Sequence, residues 1–198
     1  MTSPQRSLAV RRSPVQRRSA ARVERMLDAA ALLLDEVGQD ALTTSAIAAR
    51  ADVSVGSLYQ FFPDKHAVVE ALARRSFARF TAELAGLSTT SWQDAVDEVV
   101  DRYVAFARAE PGFLVLSFGG PVSSHTLDPQ DDNNAVVGRA LAQVVGAELP
   151  DDVARLAVEI GDAVLALAFR RDPKGDPDLV AEAKVAVKAY LAARLTPT

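Results

Sequence analysis

Apolar side chains recur three and four residues apart along most of this chain, the spacing that puts them on one face of a helix. Val23, Met26, Leu27, Ala30, Leu33, Leu34 and Val37 predict a first, core-facing helix, with Gly38 as its stop. Thr43 and Thr44 offer hydroxyl caps ahead of Ile47 and Ala48, so a short helix runs from there to about Ala51. Asp52 and Val53 make a turn, and Ser54 caps a second short helix over Val55 to Phe62, with Leu58 and Phe62 on one face. Asp64 caps a fourth helix reaching about Leu84. Ser91 with Asp94 forms a capping box for the stripe Trp92, Val96, Val99, Tyr103 and Phe106, which ends at Pro111 and Gly112. Phe113 to Phe118 is short and very apolar, and Gly119 to Asn134 is irregular before a helix ending at Gly146. Asp151 to Arg171 and Asp176 to Arg194 are two long final helices. Alanine is abundant and runs of alternating β-branched residues are lacking, so the fold class is all-α.

Composition narrows this further. A chain of 198 residues that is 49% hydrophobic is ample for a packed core in one or two modest domains. The absence of cysteine removes disulfides, thiolate metal sites and thiol redox sensing, and is compatible with a reducing cytoplasm, the expected location. The net charge of −4 is unevenly divided: Met1 to Phe80 holds 12 Lys and Arg against 8 acids, and Thr81 to Thr198 holds 10 against 18. The positive charge therefore sits in the first part of the chain, although the total is acidic. Arg6, Arg11, Arg12, Arg17, Arg18 and Arg22 lie in a segment without acids, expected as a disordered basic arm over residues 1–19. Its Arg-rich, Ser-rich composition is also that of a transit peptide, but no apolar signal core follows. An inert tail is a third account for Met1 to Arg12.

The two short helices and their turn have the form of a helix-turn-helix. Ile47, Ala51, Val53 and Leu58 meet inside it, and small Ala48 permits close approach. Val55, Gly56, Ser57, Tyr59 and Gln60 remain outside. That face suits the DNA major groove, where the second helix of such a motif reads base edges. Gln60 is matched to adenine and the Val55 methyls to a thymine methyl. Gly56 removes bulk where backbone approaches the duplex. Thr44, Tyr59 and Lys65 are donors suited to phosphates, with Arg17 and Arg18 in the arm beside them. The pattern T-x-x-I-A-x-x-A-x-V-S-x-G-x-L-Y-x-x-F-x-x-K, from Thr44 to Lys65, resembles the DNA-binding signature of the tetracycline-repressor (TetR) family of transcriptional regulators. Asp52 stands where members usually carry Gly, and Phe61 where many carry a His that contacts DNA backbone. Asp tolerates the left-handed turn that Gly would supply. The resemblance implies a DNA-binding domain over residues 20–66, a regulatory ligand-binding and dimerisation domain over 67–198, and a fourth helix that links them.

The second part of the chain carries more aromatic surface than an Ala-rich bundle needs. Trp92, Tyr103, Phe106, Phe113, Phe118 and Phe169 are candidates to line a pocket for a small, mostly apolar effector, although any single ring is more often core. His125 or Tyr103 would supply an orienting hydrogen bond, with the Gly-Gly-Pro loop after Phe118 as lid. Few fixed charges lie nearby. Apolar faces exceed what one chain can bury, which points to a homodimer through Val158, Leu165, Phe169, Val187 and Tyr190. The expected function is a repressor that binds a palindromic operator as a dimer and is released by its effector. An enzyme using Ser123, Ser124 and His125 lacks a nucleophile elbow, and only two His and no Cys leave metal chemistry without parts. The Asp128, Asp131 and Asp132 cluster lacks the spacing of a calcium loop, so no cofactor, metal or membrane partner is expected. A helical adaptor without DNA function is the remaining alternative.

Overall fold

Pro14 opens the first helix, α1 (Pro14–Ala41), where its fixed φ and missing N–H cost nothing. The helix therefore starts before Ala20, and Arg17 and Arg18, expected in a disordered arm, lie on it. The computed structural model describes residues 14–118, 133–145 and 149–195, without the side chains of 14–17, 118, 133 and 135. Residues 1–13, and with them Arg6, Arg11 and Arg12, lie outside the described residues, as does the Arg17 side chain. Gly38, with φ 73°, breaks α1 where a stop was expected, and the helix resumes for one more turn.

The helices that follow are α2 (Thr44–Arg50), α3 (Val55–Tyr59), α4 (Lys65–Leu84), α5 (Trp92–Ala109), α6 (Phe113–Phe118), α7 (Asn133–Val145), α8 (Asp151–Arg171) and α9 (Pro177–Leu195). Four hydroxyl or carboxylate caps read from the sequence hold orphan N–H groups. Thr43 accepts from Ala46 N at 3.1 Å, Ser54 from Ser57 N at 3.1 Å, Asp64 from Ala67 N at 2.8 Å and Ser91 from Asp94 N at 3.1 Å. The α3 helix stops at Tyr59, short of Phe62, because Pro63 forces the residue before it out of the helical region. Phe62 is still buried against the first core.

Two cores share α4. The first joins Met26, Leu27, Ala30 and Leu34 of α1 to Ile47, Ala48, Leu58 and to Val68, Val69, Leu72 and Ala73 in the first half of α4. The second joins Phe77, Phe80 and Leu84, in the other half of α4, to α5, α7, α8 and α9. The boundary expected after His66 is thus displaced: the DNA-binding unit needs α4 as far as Ala73 to close its core.

The outer helices correct the expected dimer face. Leu165, Phe169 and Val187 are buried within the chain's own second core, and Val158 and Tyr190 are packed against it. Of the two apolar stripes on α8, the one carrying Leu165 and Phe169 faces inward. Gly161 lets α9 approach so closely that a Cβ there would lie 3.3 Å from Val187 Cγ2. Phe169 is further trapped under the α8–α9 turn, 3.3 Å from where a Cβ on Gly175 would sit. The other stripe, Leu156, Ile160, Ala163 and Leu167, faces outward, with Leu156 50% and Leu167 45% exposed and Val185 of α9 57% exposed.

Candidate nucleic-acid interface

The turn between α2 and α3 is a Schellman motif. Asp52 lies at φ 53°, the one non-glycine residue with positive φ among the described residues. Its N–H donates to Ala49 O at 3.3 Å, and Val53 N–H to Ala48 O at 3.0 Å, the paired bonds that close a helix with a left-handed residue. Aspartate accepts this conformation more readily than most residues. With Ile47, Ala48 and Leu58 sealed inside, Val55, Gly56, Tyr59 and Gln60 are left exposed, and Ser57 half-buried.

The side chains expected at DNA gather on that face. Thr44 Oγ1 and the Tyr59 hydroxyl are 3.2 Å apart, so the two donors form one cluster across α2 and α3. A Cβ on Gly56 would meet nothing within 4 Å. No internal packing calls for glycine there, so its lack of a side chain matters only to something approaching from outside. Arg18 is exposed at the start of α1. Arg22, one helical turn on, donates from Nη1 to Ser57 Oγ at 3.4 Å and sets a guanidinium beside α3. The sequence had placed Arg22 only in a basic run, because 35 residues separate it from its partner.

Lys65 corrects another expectation. Its ammonium donates to Gln39 O at 3.3 Å and Asp40 O at 3.4 Å, filling orphan carbonyls at the end of α1. It pins α4 to α1 instead of standing clear as a phosphate donor. Behind the motif, Arg50 grips Glu36 with two bonds of 2.8 and 2.6 Å. Those hydrogen bonds hold the Glu36 carboxyl below its ordinary range and raise the Arg50 guanidinium.

A seam joins this unit to the second core. Arg75 of α4 reaches Glu24 at 3.0 Å and Asp28 at 2.7 Å, one turn apart on α1. Gly112 N–H, just before α6, donates to Asp35 Oδ1 at 2.8 Å. At φ 76°, a Cβ on Gly112 would lie 3.0 Å from Ala31 O, so only glycine allows α6 to sit this close to α1. From there α6 points both ways. Leu116 enters the first core, and Phe113 enters the second, with ring centroids 4.9 Å from Phe106, 5.2 Å from Phe77 and 5.4 Å from Tyr103.

A narrow cavity lies in the second core, with about 40 Å³ open to the centre of a water molecule. Phe80, Val96, Val100, Tyr103, Val137, Leu141, Val158, Leu165 and Val187 are among its walls. Of the rings expected to line a pocket, Tyr103 does. Phe106, Phe113 and Phe169 are instead packed as core, and Trp92 is half-buried at the edge of that core. Phe80, which the sequence reading passed over, takes their place in the wall. The Phe118 side chain and all of His125 lie outside the described residues, as do Ser123, Ser124 and the Asp128 to Asp132 cluster. The expectation of few nearby charges is also corrected, because Asp162 of α8 lines the cavity. Burial pushes the Tyr103 phenol well above its ordinary value, Asp162 adds to the rise, and the Ser117 hydroxyl opposes it. Among the described residues no three His, Cys, Asp or Glu could hold a metal ion, and no helix is long and apolar enough to cross a membrane.

A three-helix unit with a polar helix-turn-helix face, carried on a helical domain with an internal cavity, defines a class of ligand-responsive DNA-binding proteins. The family comparison agrees: residues 26–72 match bacterial regulatory proteins of the tetR family, and residues 90–195 match the tetracyclin repressor-like C-terminal domain. The chain belongs to the TetR family of transcriptional regulators. It is 38% identical to a TetR-family transcriptional regulator from Streptomyces coelicolor, with 90% of this chain and 99% of that one covered and a TM-score of 0.75. It is 50% identical over 54 residues to the HTH-type transcriptional repressor KstR of Rhodococcus jostii, a stretch that spans 27% of this chain and 26% of that protein. The transcriptional regulator FadR from Bacillus subtilis, solved in complex with stearoyl-CoA, shares the fold at 16% identity and a TM-score of 0.66, over 85% of this chain and 97% of that one.

Proposed function

We propose that this chain is a repressor that binds a palindromic operator as a homodimer and lets go when a small, largely apolar effector enters the second core. The observation that carries the DNA half is the outer face of α3, where exposed Val55, Gly56, Tyr59 and Gln60 surround a glycine that internal packing does not need. Arg22 and the Thr44–Tyr59 pair flank it as phosphate donors. The outward stripe of Leu156, Ile160, Ala163 and Leu167, with Val185 beside it, is the self-complementary apolar face for a two-fold dimer. Two-fold symmetry then sets two copies of α3 about 34 Å apart, in successive major grooves. The likeness to KstR, itself a repressor, supports the direction of control, and FadR with its bound stearoyl-CoA supports a ligand between the helices. Effector binding would act through α6, which is packed into both cores, by favouring a dimer whose α3 helices are misplaced for successive grooves.

Selection of bound duplexes from random sequence, followed by footprinting, tests this. Two inverted half-sites one helical turn apart are expected, and protection of a single asymmetric half-site overturns the reading. Gln60→Ala should lose about 1–3 kcal/mol of discrimination at one base position, whereas Arg22→Ala should weaken all duplexes alike and flatten the salt dependence. Loss of all duplex binding at low salt would favour a helical adaptor.

A further inference from the structure

The wall of the cavity is apolar except at one end. Among the described residues that line it, the only polar side chains are the phenol of Tyr103 and the carboxyl of Asp162. They come from different helices, α5 and α8, so neither helix's pattern shows the pairing. Tyr103 is buried, and its hydroxyl is shut off from solvent, whereas Asp162 is half-buried. We propose that the effector is a compact apolar molecule carrying a hydrogen-bond donor, a protonated amine or a hydroxyl, which Tyr103 and Asp162 together receive at the polar end of the cavity. This deepens the reading of the cavity as an effector site and rests on it.

The chemistry of the two groups sets the selection. An aspartate carboxylate offers acceptor oxygens and no donor, so it receives an ammonium or a hydroxyl and opposes a second carboxylate. That opposition grows in a low-dielectric cavity. The Tyr103 phenol stays protonated beside Asp162 and can both accept from and donate to a ligand hydroxyl. An apolar body is dictated by the remaining wall, where Phe80, Val96, Leu141, Leu165 and Val187 would leave any further polar group without a partner. The space, about 40 Å³ to the centre of a water, exceeds the roughly 10–15 Å³ that one water needs and suits a single ring. The position of the head group also bears on α6, because Ser117 of α6 lies at the same phenol.

The test uses one ring with four heads, toluene, benzylamine, benzyl alcohol and benzoate, titrated against the full-length protein without DNA. Thermal shift and ligand-observed NMR are the readouts. Benzylamine and benzyl alcohol should bind at least tenfold more tightly than benzoate, and more tightly than toluene. Asp162→Asn should erase the amine-over-benzoate preference, and Tyr103→Phe should weaken benzyl alcohol more than toluene. Benzoate or toluene binding as tightly as benzylamine overturns the proposal, as does a preference that survives Asp162→Asn, or no binding by any of the four. The wild-type series decides the matter alone if a variant fails to fold. Because no operator is present, failure here leaves the DNA-binding reading standing. Intact head-group selection without operator release would instead remove the regulatory reading.

Discussion

The two cores are built from different materials. Around α1 to α3 the buried side chains are mostly small or aliphatic, with Ala29, Ala30, Ala31, Ala48 and Ala51 bringing backbones close and Phe62 the one fully buried ring. The second core is built on Phe77, Phe80, Tyr103, Phe106, Phe113 and Phe169, and it holds the cavity and the half-buried Asp162. Small residues at close approach fix one geometry for a face that must match a groove. Large rings around a void leave room for two arrangements, which a responsive domain requires. The first core presents a rigid surface and the second an adjustable interior, and α4 and α6 belong to both.

The largest test of this contrast is at the seam. Phe113→Ala removes a fully buried ring that touches three others and should cost about 3–5 kcal/mol, read by urea unfolding. Trp92, the lone tryptophan, reports the second core, so its fluorescence transition should move to lower urea and separate from the circular-dichroism transition of the whole chain. One coincident transition would mean the cores do not unfold separately. Next, Leu156→Glu puts a charge on the outward stripe of the second half and should weaken dimerisation by roughly 2 kcal/mol, about thirtyfold, with the monomer still folded. An unchanged sedimentation profile would move the dimer face elsewhere.

Smaller effects probe the first half. Asp52→Gly relieves a left-handed aspartate and should raise stability by about 0.5–1 kcal/mol, measured by chemical denaturation. A decrease would show that the carboxylate has a role the turn does not explain. The smallest effect concerns acid. The Asp94 carboxyl accepts from the Thr90 and Ser91 hydroxyls, which hold it below its ordinary value. Its stabilisation is therefore present at neutral pH and lost as pH falls through the depressed folded value. Asp94→Asn should lower stability slightly at neutral pH, with the difference from wild type closing in acid. A gap that persists at low pH would contradict the assignment.

Much of the DNA-binding half was legible because its signals are short-range. Caps at Thr43, Ser54, Asp64 and Ser91 bond three residues ahead, and the left-handed Asp52 follows from the turn its neighbours demand. Such bonds are written in adjacent letters, so the helix-turn-helix and its outer face could be read directly. The start of α1 was misplaced because a basic run looks alike as arm or as helix, and charge alone does not choose between them.

What the sequence determined by itself was the all-α class, the helix ends and the face of α3. The tertiary structure decided which partners those faces met. Periodicity showed two apolar stripes on α8 but not that Leu165 and Phe169 turn inward while Leu156 and Leu167 turn out. A donor such as Lys65 can serve any acceptor within reach, and only folding brought Gln39 and Asp40 there before any phosphate. Tyr103 and Asp162 share a cavity because five helices close around it, a relation between distant residues that no local pattern encodes.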